Sequence, residues 1–131
     1  MFCEIEKKAK GAPFYLFVGF LICAGLINGC AQTPMIGKPL DRAELTDGVY
    51  AGSYRGGPNR AAVRVTIKDQ AIVEIEITEH QAWRGKKAEL PTIERIIASQ
   101  STNVDAVSGA TNSSRVIMNA VQNAIENAYL K

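Results

Sequence analysis

The chain has 131 residues, 47% hydrophobic and 21% charged, with 15 basic and 13 acidic side chains and a formal net charge of +2. That length holds one domain without room for a second, and the apolar fraction excludes global disorder. The near-neutral charge argues against a chain held to nucleic acid by phosphate neutralisation, which requires a basic face.

The apolar residues are unevenly spread. Lys7, Lys8 and Lys10 form a basic start, and the run from Phe14 to Ile27 carries no charge. A basic segment followed by a short apolar stretch is the pattern of an export signal. A spanning helix takes about 20 apolar residues, so this run is short for a permanent anchor, the alternative being an uncleaved one. Leu26-Ile-Asn-Gly-Cys30 resembles the bacterial lipoprotein signal, in which an aliphatic and a small residue precede the cysteine that receives lipid. The resemblance implies cleavage before Cys30 and a lipid anchor on it. Cys3 and Cys23 then fall in the discarded segment, leaving neither a disulfide framework nor a cysteine metal site. The expected division is a signal peptide over 1–29, lipidated Cys30 and a flexible tether over 30–46, and a folded domain over 47–131. Pro34, Gly37 and Pro39 without periodicity mark the tether.

Asp47-Gly48 is a turn pair that leads into a first strand over Val49–Arg55, which Gly56-Gly57-Pro58-Asn59 breaks. Two alternating runs follow. Val63, Val65 and Ile67 share one face against Arg64, Thr66 and Lys68, while Val73, Ile75 and Ile77 oppose Glu74, Glu76 and Thr78. Pairing Val65 with Val73 and Arg64 with Glu74 sets apolar against apolar and opposite charges together. That register requires a three-residue loop, Lys68-Asp69-Gln70, with Gln70 left-handed. A two-residue loop at Asp69-Gln70 would set Val65 against Glu74. Leu90, Ile93, Ile96 and Ile97 then form a helical stripe over 90–98, with Pro91 in its first turn. A longer helix follows from Asn112 to Tyr129. Its apolar face is Val116, Ile117, Ala120, Val121, Ala124, Ile125 and Ala128, with Asn119, Gln122, Asn123 and Glu126 largely outside it. The fold class is α+β: a small antiparallel sheet of three or more strands packed with two helices, the last long and amphipathic.

Function concentrates between the helices. Ser108-Gly109-Ala110-Thr111-Asn112-Ser113-Ser114 places small residues and hydroxyls at a helix start. Helix N-termini expose unpaired N–H groups and partial positive charge, so they accept phosphate. The first turn carries no acidic residue and is followed by Arg115, and Gly109 and Ala110 leave room for close approach to the backbone. An ordinary serine or threonine cap accounts for the same composition, so these residues alone leave cap and anion site open.

Asp105-Ala-Val-Ser108-Gly109-Ala110-Thr111 closely resembles the flavin-attachment motif of the FMN-binding domain family. That family includes the flavin subunits of Rnf complexes and of sodium-translocating NADH:quinone reductases, and many small exported lipoproteins. The resemblance runs over residues 47–131, through Asp47-Gly-Val-Tyr50, the hairpin Val65-Thr-Ile-Lys-Asp-Gln-Ala-Ile72, Gln100-Ser-Thr-Asn-Val-Asp105 and the last helix. It implies FMN joined covalently through its phosphate to the hydroxyl of Thr111. A separate Mg²⁺-dependent flavin transferase, with FAD as donor, makes that bond outside the cytoplasm in the family. Asp105, Ser108, Gly109 and Ala110 match the rest of the motif. Ser113 and Arg115 extend the cofactor-binding set along the helix, Arg115 as a candidate counter-charge. Gln70 departs from the family pattern, which often has glycine in that hairpin. The implied protein is a membrane-tethered, extracytoplasmic electron carrier rather than a stand-alone enzyme. Its partners would be redox proteins or a quinone-linked membrane complex, and no nucleic acid. The alternative is a lipoprotein binding module that holds FMN non-covalently, or whose loop is only a structural cap.

The remaining candidates are fewer. A threonine hydroxyl is a poor nucleophile without a base, and the single histidine, His80, is distant in sequence, so an external enzyme is the reasonable requirement. His80 ends the third strand and is placed either at the flavin or on the rim. Trp83 and Tyr54 are candidates to cover the ring or to pack at the core edge. Arg84-Gly-Lys-Lys87 reads as a solvated loop able to steer an acidic partner. A Ser108–His80–Asp105 hydrolase lacks the G-x-S-x-G elbow.

Overall fold

The alternation in residues 49–77 produces a three-stranded antiparallel sheet in the order β1-β2-β3, with β1 at Gly48–Gly56, β2 at Asn59–Lys68 and β3 at Ala71–Gln81. Helices α1 (Glu89–Ser99) and α2 (Thr111–Tyr129) complete the α+β fold. The computed structural model describes residues 32–83 and 85–129. The signal peptide over 1–29, the lipidation at Cys30 and the basic side chain of Arg84 lie outside the described residues. No helix among those described is long and apolar enough to cross a membrane.

One face of the sheet is the core. Tyr50, Ala61, Val63, Val65, Ile67, Ile72 and Ile75 bury against Val116, Ile117, Ala120, Val121, Ala124, Ile125 and Ala128 of α2 and Ile96 of α1. A fully buried Val or Ile contributes roughly 1.5–3 kcal/mol, so this layer is the main source of stability. The other face is solvated and carries the ion pairs Arg64–Glu76 and Arg60–Glu79. Side-chain amides pair part of each sheet edge. Asn123 and Asn127, four residues apart on α2, donate to the carbonyls of Ser53 (2.8 Å) and Ala51 (3.0 Å) on the β1 edge. Gln100 does the same for β3: its Oε1 accepts from the Ile72 N–H (2.8 Å) and its Nε2 donates to the Ile72 carbonyl (2.9 Å). An edge strand paired in this way no longer offers those groups to another chain.

The β2–β3 register differs from the one the alternation suggests. Lys68 pairs with Ala71 across a two-residue turn, Asp69-Gln70, and both turn residues are left-handed, at φ 53° and 59°. Ile67 then faces Ile72, Thr66 faces Glu74 and Val65 faces Ile75, so Val73 is an extra residue bulged out of the ladder. The bulge resets the phase. It turns Ile72 inward with Ile75, leaves Val73 50% exposed, and sets Arg64 against Glu76 instead of Glu74. A rigid two-residue period hides this solution, which is why the two-residue loop looked incompatible. The strained turn is supported from outside it. Asp47 accepts from the N–H groups of Asp69 (3.1 Å) and Gln70 (3.2 Å), and Arg42 Nε donates to the Gln70 carbonyl (3.1 Å).

The segment expected as a tether is, from Thr33 to Leu45, part of the fold. Thr33 and Leu45 are buried. The N–H of Thr33 donates to Asn112 Oδ1 (3.3 Å), that of Ile36 to Asn119 Oδ1 (3.1 Å), and Asn119 Nδ2 returns a bond to the Pro34 carbonyl (2.8 Å). Lys38 N–H donates to Thr102 Oγ1 (3.0 Å), and Thr102 in turn bonds the Gln122 side chain. This strap explains why Asn119 and Gln122 are fully buried although they fall outside the apolar stripe of α2. Asn119 is polar because the strap's backbone needs partners there, and a buried peptide group left without one costs about 1–3 kcal/mol. Gln122 instead accepts from the Thr102 hydroxyl that bonds Lys38 and donates to Glu126.

Candidate functional site

The start of α2 has an unusual cap. The first helical hydrogen bond runs from Ser114 N–H to the Ala110 carbonyl (2.9 Å), which makes Ala110 the capping residue and Thr111 the first residue of the helix. A methyl group accepts nothing. The N–H groups of Thr111, Asn112 and Ser113 therefore have no acceptor among the described residues, and the ordinary Ser/Thr cap is not formed. Three unpaired N–H groups at the positive end of a 19-residue helix form the kind of end that takes an anion. The Thr111 side chain is exposed at this end, and its hydroxyl has no partner among the described residues.

The preceding loop is rigidly held. Ala110 N–H donates to the Val107 carbonyl (3.0 Å), closing a turn with Gly109 at φ 72°, a conformation that favours glycine. The buried Ser114 hydroxyl ties the turn to the helix, accepting from Val107 N–H (3.0 Å) and donating to the Ala110 carbonyl (3.0 Å). Upstream, Arg95 grips the Asp105 carbonyl (2.7 Å). The Asp105 and Ser108 side chains are exposed beside this turn, and an open hollow adjoins it, lined by Arg95, Ala98, Ser99, Asn103, Val104 and Asp105.

A 3-10 turn, Gly85–Ala88, packs directly on the first turn of α2. A methyl group built on Gly85 would fall 1.9 Å from Ser113 Oγ, so glycine is obligatory there, and Ser113 is a packing residue as well as a motif neighbour. The same turn sets the Lys87 ammonium over Gly109, 3.0 Å from where a Cβ on that glycine would lie. Lys87, which the sequence placed in a solvated loop, is thus a cation at the motif. Arg115 is directed elsewhere: its guanidinium bonds Gln32 Oε1 (3.2 Å) and the Thr33 carbonyl (3.1 Å), holding the strap.

With that geometry in view, comparison with known proteins is decisive. The FMN-binding domain family matches residues 56–126. The chain belongs to the FMN-binding domain family. It is a flavin-binding protein, and FMN is its cofactor. An uncharacterized protein of Treponema pallidum (strain Nichols) is 32% identical over 90 residues, which is 64% of this chain and 24% of that protein. The chain therefore spans about a quarter of that relative's length.

The residues of this FMN-binding domain fit a phosphate at α2: open N–H groups, a nearby ammonium, and a glycine where the backbone must be approached. Other sequence candidates fall away from this point or take different roles. His80 pairs with Ala61, so it shares the inward face of the sheet, and its Nδ1 lies 2.7 Å from Glu89 Oε1. Its side chain is only 2% exposed, and Nε2 has no partner among the described residues. The structure joins His80 to Glu89 and not to Ser108 or Asp105, so the hydrolase triad is not assembled. Tyr54 packs at the core edge, whereas Trp83 is 95% exposed. Among the described residues no cluster of His, Cys, Asp and Glu could hold a metal ion.

Proposed function

We propose that this chain is an extracytoplasmic electron carrier, tethered to a membrane by lipid on Cys30, with FMN esterified through its phosphate to Thr111. The observation that carries the reading is the helix start. An alanine occupies the capping position, so three N–H groups stay open and the adjoining threonine hydroxyl stays exposed. Bound there, the flavin supplies one- and two-electron chemistry, and the protein supplies position and electrostatics. The N–H groups of Thr111–Ser113 and the Lys87 ammonium would hold the phosphate. The turn locked by Ser114 would keep the Thr111 hydroxyl outward for an enzyme to reach.

No carboxylate or imidazole is hydrogen-bonded to Thr111 among the described residues, so the chain supplies the nucleophile and not the base. A separate Mg²⁺-dependent flavin transferase would remove the hydroxyl proton and transfer the FMN portion of FAD to the threonine oxygen, with AMP leaving. Covalent attachment suits a carrier in dilute surroundings, because it abolishes loss by dissociation.

The test is co-expression with such a transferase, followed by denaturing electrophoresis. Flavin fluorescence should stay with the wild-type band and vanish in Thr111→Ala. Flavin that binds the native protein and leaves on denaturation would support non-covalent binding instead. Equal fluorescence in Thr111→Ala would move the attachment site. Cys30→Ser should release the protein from membranes.

A further inference from the structure

Resting on the reading of Cys30 as the lipidated residue, we infer that the end of the domain carrying Thr111 lies on the membrane surface itself. Trp83 and Leu90 would sit in the headgroup layer, with Lys86 on anionic headgroups. Trp83 is 95% exposed and Leu90 71%, more than any other large apolar side chain among the described residues. Both flank the Gly85–Ala88 turn, whose Lys86 and Lys87 are exposed. An indole left in water serves no packing role, whereas tryptophan beside lysine suits a lipid interface with negative charge.

The leash gives an independent reason. Thr33 is bonded to Asn112, next to Thr111, and its carbonyl is held by Arg115. Only Ala31 and Gln32 lie between it and Cys30, and the three Cα–Cα steps span at most about 11 Å in any conformation. The strap from Thr33 to Leu45 is committed to the domain and does not act as a spacer. The start of α2 thus stays close to its lipid, and the Gly85–Ala88 turn packs on that same start. The redox partner of this end is then one reached within the membrane plane.

Trp83 is the chain's one tryptophan, so its fluorescence reads the patch directly. The full chain, expressed without a transferase, is reconstituted into phosphatidylglycerol–phosphatidylcholine vesicles containing a nitroxide-headgroup lipid. Trp83 should be quenched at least about twofold more than N-acetyltryptophanamide dissolved with the same vesicles, and less in Lys86→Gln or in pure phosphatidylcholine. Quenching no greater than that of the free indole overturns the placement. Equal quenching in both lipid compositions overturns the role of Lys86. Because the protein carries no flavin in this experiment, a negative result is separate from failure of the Thr111 chemistry. Mass spectrometry of the N-terminal peptide reports independently on Cys30.

Discussion

Gly52 is the point at which α2 meets the sheet, and replacing it with alanine tests the packing that positions Thr111. A Cβ at Gly52 would fall 2.3 Å from the Ala120 carbonyl oxygen and 2.4 Å from the Ala124 nitrogen. Both are backbone atoms of a regular helix and have no rotamer by which to give way. Ordinary contact begins near 3.5 Å, so the helix must retreat by about 1 Å. Overpacking of this kind costs about 1–3 kcal/mol. The retreat also stretches the Asn123 and Asn127 bonds to β1, each contributing about 1 kcal/mol. Gly52→Ala should therefore lose about 3 kcal/mol, a large part of the 5–15 kcal/mol typical of a domain. In a domain of this size that lowers Tm by roughly 12–24 °C. Gly57→Ala is the control: Gly57 has φ 61° and nothing within 4 Å, so only left-handed strain of about 1–2 kcal/mol applies. Urea unfolding reports both, with an unchanged m-value expected. If Gly52→Ala is no less stable than Gly57→Ala, the close helix–strand approach is wrong.

Gln70→Gly should stabilise the domain by about 1 kcal/mol, because Gln70 is left-handed in a two-residue turn; an unchanged unfolding midpoint would contradict that turn. Asn119→Ala leaves the Ile36 N–H and the Pro34 carbonyl without partners and should cost about 2 kcal/mol. It should also speed proteolysis within the strap, and cleavage as slow as in wild type would deny the strap its anchoring role. The Tyr129 phenol is raised above its ordinary value near 10, first by burial and further by Asp41, Glu44 and Glu126, against a bond from the Asp41 N–H. The native state therefore holds this proton longer than the unfolded chain does. Its contribution to stability is complete below pH 10 and is lost as pH rises through the folded-state value. Tyr129→Phe should remove that part of the alkaline decline, and an identical alkaline profile would refute the assignment.

The helices were readable because their burial follows a local period. The stripe Val116–Ala128 predicts a helix from Asn112 to Tyr129, and α2 begins only one residue earlier. The strands were likewise visible, but their register was not. Val73 lies in a run that alternates perfectly, yet the bulge and Asp47's support of the Asp69-Gln70 turn come from pairing and from a residue 22 positions away. At the site, the motif 105–111 was legible as a contiguous string. Lys87 was not, since nothing local distinguishes a lysine over Gly109 from one in solvent. A weak signal did exist for the strap: Asn119 and Gln122, three residues apart, border the apolar stripe of α2 without interrupting it.

The sequence alone determined the class of secondary structure, the place of the motif at a helix start and the family resemblance. These depend on periodicity and on contiguous residues. Only tertiary structure decided that Ala110 caps α2, that Arg115 serves the strap while Lys87 serves the motif, and that residues 33–45 belong to the domain. Each of those outcomes depends on which distant backbone group supplies or needs a hydrogen bond, and that is settled only when the chain packs.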